Sequence, residues 1–269
     1  MVTTLIAINV GVFVVCTLTG ARGVPDSPLF GQMAMSTPLV VKGQVWRIFT
    51  SQYLHWTAGH LLMNMLGLHF LGRSLEQEWG AKRFFGVYLV AGTLGMAFYM
   101  ALTFLGWLPV YGIAAGASGC VLGLLGACAV RYPNAMVYIY FLFPIKIRTA
   151  ALVFGGWYIL NLYVRGSNAG GDACHLAGLI FGAWWAHRGE RWWNRVSVRL
   201  HDFRAGTRRV RLYRAESNNP GSSIRQNEVD EILRKVYERG IHSLTNSEKD
   251  VLRNATNRQK AADSGSRTL

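Results

Sequence analysis

Charge is what the first two-thirds of this chain lacks. Residues 1–20, 48–72 and 84–130 hold no Asp, Glu, Lys or Arg, and Asp and Glu together number only 14 in 269 residues. A soluble domain scatters charges along every surface helix. Uncharged runs of this length exclude that class and indicate a polytopic membrane protein, because a helix crosses hydrocarbon with about 20 mostly apolar residues. Cysteine is scarce as well. Cys16, Cys120, Cys128 and Cys174 lie in apolar runs, without the spacing of a metal site or an extracellular disulfide framework, so they read as small buried hydrophobes. The first run has no basic flank, which argues for a first span and against a cleaved signal. No internal repeat is visible beyond the spans.

What charge there is gathers at one end. Of 28 Lys and Arg, 18 follow position 187, and residues 188–214 carry nine Arg against Glu190 and Asp202. A pI near 10.1 invites a nucleic-acid reading. Basic residues directly after a membrane span have a simpler cause, since cytoplasmic flanks are rich in Lys and Arg. The expected partner of 188–214 is anionic lipid, and no nucleic acid is expected.

Taken in order, 1–20 is span one. Pro25, Pro28 and Pro38 argue against a continuous helix over 22–47. The later part of 48–72 is span two, and 73–83 reads as a short charged turn. The run 84–130 is too long for one span, and Gly106, Pro109 and Gly112 divide it into spans three and four. Residues 131–148 connect to span five, and their aromatic, β-branched stretch 137–143 reads as extended. Spans five and six are 150–164 and 173–186. Six spans put both termini on one side, which the Arg-rich tail marks as cytoplasmic. Trp184, Trp185, Trp192 and Trp193 would form an aromatic belt there. Residues 218–223 read as a linker. Residues 228–239 read as a helix with Val229, Ile232, Leu233 and Val236 on one face and Gly240 as its stop. Thr245 with Glu248 is a capping-box signal for another. The domains are thus a six-span membrane domain over 1–187, a basic juxtamembrane segment and linker over 188–223, and a small cytoplasmic helical hairpin over 224–260.

Polar groups inside spans are costly, so the few present are informative. Ser118 sits in Gly116-Ala117-Ser118-Gly119, where it could bond its own backbone, support packing or act as a nucleophile. A nucleophilic serine needs a base, and His175 is the one histidine in a late span. It could otherwise pack or relay protons. His60 and Asn64, four residues apart, share one helix face. Two donors aimed at a developing oxyanion are worth about 3 to 4 kcal/mol each; alternatively the pair satisfies itself or a loop carbonyl. His55 and His69 read as loop or interface residues. Asp172, one turn before His175, reads as an acid at a helix N-terminus, and its replacement by Asn is expected to cost little. No metal site is spaced for, and no cofactor is expected. Gly116 to Cys120 is not the nucleophile elbow of soluble hydrolases, which needs a glycine where Cys120 stands. A transporter or proton channel would need paired intramembrane carboxylates, and spans one to five have none.

The pieces are Trp46-Arg47, His60-Leu61-Leu62-Met63-Asn64, Glu76, Gly116-Ala117-Ser118-Gly119 and His175-Leu176-Ala177-Gly178-Leu179-Ile180-Phe181-Gly182. Together they resemble the rhomboid family of intramembrane serine proteases over roughly residues 1–187, in order and spacing. The resemblance implies an all-α, rhomboid-like bundle of six transmembrane helices in a bacterial cytoplasmic membrane, both termini cytoplasmic. It implies a Ser118–His175 dyad without a carboxylate, with His60, Asn64 and the Ser118 backbone N–H binding the oxyanion. Trp46, Arg47 and Glu76 would be structural, Gly116 and Gly119 part of the serine motif, and Gly178 and Gly182 the close approach of spans four and six. Substrates would be single-span or polytopic membrane proteins with an easily unwound helix, reached from the extracytoplasmic side. In some members an aromatic ring four residues after the serine stacks on the histidine; Leu122 stands there in this chain, so the ring must be held otherwise. The competing class, non-catalytic rhomboid-like proteins that bind membrane clients, typically lacks the serine or the histidine. The segment Gly240-Ile241-His242-Ser243-Leu244-Thr245 resembles a short C-terminal module of some bacterial rhomboid-like proteins.

Overall fold

A computed structural model describes residues 1–139, 143–189, 191, 193 and 220–265. It divides into two units, Met1–Trp193 and Asn194–Leu269. The first unit begins with α1, Val2–Thr19. Residues 22–53 then form no long helix, as their prolines require. They fold into a 3-10 turn at Val24–Asp26, α2 at Pro28–Met33, β1 at Met35–Ser36, α3 at Thr37–Val41, α4 at Arg47–Thr50 and a second 3-10 turn at Ser51–Tyr53. Proline starts three of these pieces, a position where its missing N–H costs nothing.

The second long helix, α5, runs Ala58–Trp79, and α6 runs Ala81–Phe104. This corrects the charged turn expected at 73–83: the helix continues through Arg73, Glu76 and Glu78, and the reversal is made by Gly80 alone, at φ +76°. The charges are tolerated because they find partners on other elements. Glu76 accepts from the backbone nitrogens of Met1, at 2.7 Å, and Val2, at 2.9 Å. Glu78 pairs with Arg131 and Tyr132. After β2, Ile113–Ala114, comes α7, Ser118–Arg131, only 14 residues long. Strands β3, Met136–Ile139, and β4, Phe143–Lys146, make an antiparallel hairpin, so the stretch read as extended is extended. Helices α8, Ile147–Tyr163, and α9, Ala169–Trp184, complete the bundle, and α9 widens into a π-helical turn over Trp185–Gly189.

In this unit α7 is the central helix, packed against α5, α6, α8 and α9. Its glycines allow this. A Cβ on Gly178 or Gly182 of α9 would strike the backbone carbonyls of Gly119 or Gly123 on α7. Along α6 the buried positions Phe84, Tyr88, Ala91, Gly95, Tyr99 and Thr103 recur at helical spacing and face the same core. The outward faces stay apolar: Ile8, Leu62, Phe70, Leu152, Ile159 and Ile180 are exposed. A continuous apolar exterior is untenable in water and suits hydrocarbon. Two helices, Val2–Thr19 and Ala81–Phe104, meet the length and hydropathy of a membrane crossing on their own; Ser118–Arg131 is apolar but shorter. All four cysteines are free and buried. One member of the expected tryptophan belt departs from it: Trp185 is buried against Phe181, while Trp184 and Trp193 are exposed. Trp192 lies outside the described residues, as do nearly all of 190–219 and so most of the basic juxtamembrane segment.

The second unit holds α10, Pro220–Arg239, and α11, Asn246–Gly265. The helix begins earlier than expected and takes in most of the supposed linker, because Pro220 serves as a first-turn residue. Ile232 and Leu244 are its buried apolar pair, whereas Leu233 is half exposed. Thr245 and Glu248 form the capping box: the Glu248 amide donates to Thr245 Oγ1 at 3.3 Å and the Thr245 amide to Glu248 Oε2 at 2.8 Å. Lys235 Nζ reaches both Glu248 oxygens, at 2.8 and 3.0 Å. The lysine first, then the Thr245 amide and hydroxyl, hold the Glu248 carboxyl down to about 2, from an ordinary 4.5. A lowered carboxyl stabilises the hairpin above its ordinary value, and that contribution is lost as pH falls toward the folded one. Amide hydrogen exchange across 228–257 should therefore quicken as pH drops from 4.5 to about 2, after correction for intrinsic rates, and Glu248→Gln should remove that pH dependence.

Candidate active site

The site is built where α7 starts inside the bundle. Strand β2 arrives extended, paired antiparallel with β1 (Met35 opposite Ala114, Ser36 opposite Ile113). The Gly116 amide then donates to the Ser51 carbonyl at 3.0 Å. So the segment before Ser118 is fixed by the loop after α1. That loop is itself held by Arg47, 5% exposed, whose Nη1 donates to the carbonyls of Gly31 and Ala34, each at 2.8 Å, and whose Nε donates to Gln44 Oε1 at 2.7 Å. Trp46 Nε1 adds a bond to the Gln32 carbonyl at 3.2 Å. These contacts account for a Trp-Arg pair far from any chemistry.

Ser118 is the first residue of α7. Helix geometry leaves its backbone N–H without an intrahelical acceptor, at the positive end of the helix dipole. Its Oγ lies 2.7 Å from Nε2 of His175 on α9. Serine and histidine, 57 residues apart in sequence, are in hydrogen-bond contact. Both are half-buried, so the contact is reachable from one side.

Gly116 adopts φ +146°, open only to glycine, and a methyl built there would lie 2.8 Å from His60 Cε1, 3.0 Å from His60 Nε2 and 3.4 Å from Ser118 Oγ. The missing side chain is the gap in which the His60 imidazole stands beside Ser118. His60 is positioned by the cap of α5, where its amide donates to Thr57 Oγ1 at 3.1 Å. Asn64, one turn along α5 and 5% exposed, donates from Nδ2 to the His60 carbonyl at 3.0 Å. The acceptor is a carbonyl of the same helix, neither the His60 side chain nor a loop carbonyl, and the bond engages one of the two amide N–H groups.

Three residues enter the site that the sequence did not assign to it. His55 was read as a loop or interface residue. It is in the loop, but 1% exposed, with its ring edge-on to His60 at 5.0 Å. Tyr158 of α8 lies 4.9 Å, ring to ring, from His175. It is the aromatic ring that Leu122 does not supply, brought from another helix. Asp172 does stand in the first turn of α9. Its carboxylate, however, accepts from Asn161 and Asn168 and lies 3.6 Å from His175 Nδ1.

Comparison with known proteins bears on this geometry. The family model described as the rhomboid domain matches residues 42–189, just over half of the chain. A second model, a family of unknown function (DUF6576), matches residues 219–258. RHOMBOID-like protein 1 of Arabidopsis thaliana is 41% identical over 115 residues, 38% of this chain and 27% of that protein. Rhomboid protein 1, mitochondrial, of Saccharomyces cerevisiae is 32% identical over 144 residues, 50% of this chain and 39% of its own. Rhomboid protease GluP of Bacillus subtilis is 35% identical over 94 residues, 35% of this chain and 17% of its own. The chain thus spans well under half the length of these relatives.

Proposed function

Because the chain belongs to the rhomboid family, and is with it an all-helical integral membrane protein, we propose that it is an intramembrane serine endopeptidase. The observation that carries this reading is the 2.7 Å contact of Ser118 Oγ with His175 Nε2 at the buried start of α7. With Nδ1 protonated, Nε2 accepts the serine proton as Oγ attacks a peptide carbonyl of the substrate. The oxyanion is received by the Ser118 N–H, by His60 and by Asn64 re-aimed from its backbone bond. His175 returns the proton to the leaving amine, and the acyl-enzyme is released by a water that His175 deprotonates in turn. Water is needed at a depth where lipid has none, and a site reached past polar loop segments can supply it. The printed name of the Bacillus subtilis relative, a rhomboid protease, supports the same reaction class.

Substrates on this reading are membrane proteins whose helix unwinds near the cleaved bond. Six spans put both termini in the cytoplasm of a bacterial cell. The Lys and Arg bias supports that orientation, and the C-terminal module's resemblance supports a bacterial setting. The nine arginines of 188–214 lie against anionic lipid, at about 1 kcal/mol per charge near the surface. A fluorophosphonate probe in liposomes tests the core of the reading. It should attach to Ser118, as located by mass spectrometry, and heat-denatured protein and His175→Ala should not react. Labelling elsewhere, or equal labelling of His175→Ala, would reject it.

A further inference from the structure

The acid beside the dyad carries a role of its own. Asp172 is 2% exposed, an expensive place for a carboxylate unless it is paired and bonded. It is bonded. Asn161 Nδ2, from α8, donates to Oδ2, and Asn168 Nδ2 donates to Oδ1 at 3.1 Å. Two amides on opposite sides hold the carboxylate in one orientation, and that orientation faces the imidazole: Oδ1 lies 3.6 Å from His175 Nδ1. Nδ1 itself is buried and has no hydrogen-bond partner among the described residues. An acid at a helix N-terminus explains why Asp172 lies in the first turn. It does not explain the two asparagines that bond its carboxylate beside the imidazole.

We propose that Asp172 is a positioning residue that holds His175 in the tautomer able to take the Ser118 proton. Neutral imidazole carries one proton, on either nitrogen. A carboxylate opposite Nδ1 favours the proton there, which leaves the Nε2 lone pair toward Ser118 Oγ. The same carboxylate then faces the imidazolium formed when Oγ attacks. At 3.6 Å the pair is longer than a hydrogen bond, and a gain of charge on the ring draws it closed, as catalytic contacts commonly tighten beyond the resting state. The other groups facing His175 do not duplicate this. Tyr158 from α8 presents its ring, Ser118 from α7 its hydroxyl, and His60 from α5 an imidazole whose positive form would oppose that of His175. Asp172 is the carboxylate among them.

This inference rests on the protease reading, and the experiment separates the two. The rate of fluorophosphonate labelling of the full chain in liposomes is followed against pH for wild type, Asp172→Asn, Asp172→Glu and Ser118→Ala. Without the carboxylate the imidazolium is less favoured, so the acidic limb of Asp172→Asn should move away from that of wild type. The plateau should fall about tenfold or more. Asp172→Glu should restore the wild-type limb and part of the plateau. A plateau within about twofold of wild type with an unmoved limb overturns the role, and so does a fall in plateau without a limb shift, which is what a structural residue gives. Should Asp172→Asn not accumulate, Asn168→Ala decides: loss of an amide that aims the carboxylate should move the limb in the same sense as loss of the carboxylate, and an unmoved limb overturns the role. Labelling that survives Ser118→Ala removes the protease reading itself. Labelling abolished there but unaffected in Asp172→Asn removes only the role of Asp172.

Discussion

Ser118→Ala is expected to leave a single-span membrane reporter uncut while the protein accumulates as well as wild type. The substitution removes one oxygen. Among the described residues that oxygen makes one hydrogen bond, to His175 Nε2, so its loss costs about 1 kcal/mol of stability, within reach of a well-packed bundle. On the protease reading the same oxygen is the atom that bonds to the substrate. The nearest sulfur nucleophile, Cys120, is buried two residues on and bonded to Gln52. Turnover should therefore fall by about 10⁴-fold or more, the scale for loss of an acting nucleophile. The check is product quantified by mass spectrometry alongside the amount of folded protein. Cleavage within tenfold of wild type would show that the hydroxyl is a packing group after all.

The largest effect on stability should come from Gly182→Val. A Cβ at this position of α9 would strike the Gly123 carbonyl and lie 2.6 Å from Gly123 C and 2.9 Å from its Cα. The obstruction is backbone, not the end of a side chain that can swing away. The two helices that carry the serine and the histidine would have to separate. Overpacking typically costs 1 to 3 kcal/mol, and a backbone-on-backbone clash belongs at about 3 kcal/mol or beyond. Gly156 on α8 is the control, since a methyl there meets nothing within 4 Å. Gly156→Ala should gain about 1 kcal/mol through helix propensity. Thermal denaturation of both variants in mild detergent measures the difference. A Gly182→Val protein within about 1 kcal/mol of wild type would mean that the close approach is dispensable.

Much of this was legible in the sequence, for physical reasons that also mark the limit. Uncharged runs disclose spans because lipid forbids unpaired charge, and Ser118 and His175 stood out because polar groups are rare there. The error at 73–83 has the same root. Glu76 and Glu78 look like a loop until Val2, Arg131 and Tyr132 are seen to receive them, and those partners are remote in sequence. Tyr158 gave no signal: a ring contact between α8 and α9 follows no local spacing. Asp172 was noticed but assigned by its position along the helix, and the asparagine that redirects it lies 11 residues earlier on another helix. Trp185 was placed at the interface by composition. It turns inward, against Phe181 one turn earlier on α9.

On the protease reading, the shortness of α7 would set where a substrate can be cut. Fourteen residues rise about 21 Å, against about 30 Å of hydrocarbon. On the protease reading the missing third, about 9 Å, would be a well with the nucleophile at its floor. A bond reaches that floor only if it can be lowered so far below the lipid headgroups. Depth would therefore act as a ruler: the cut would fall at a fixed distance from the surface, and a thicker or thinner bilayer would slide it along the substrate helix.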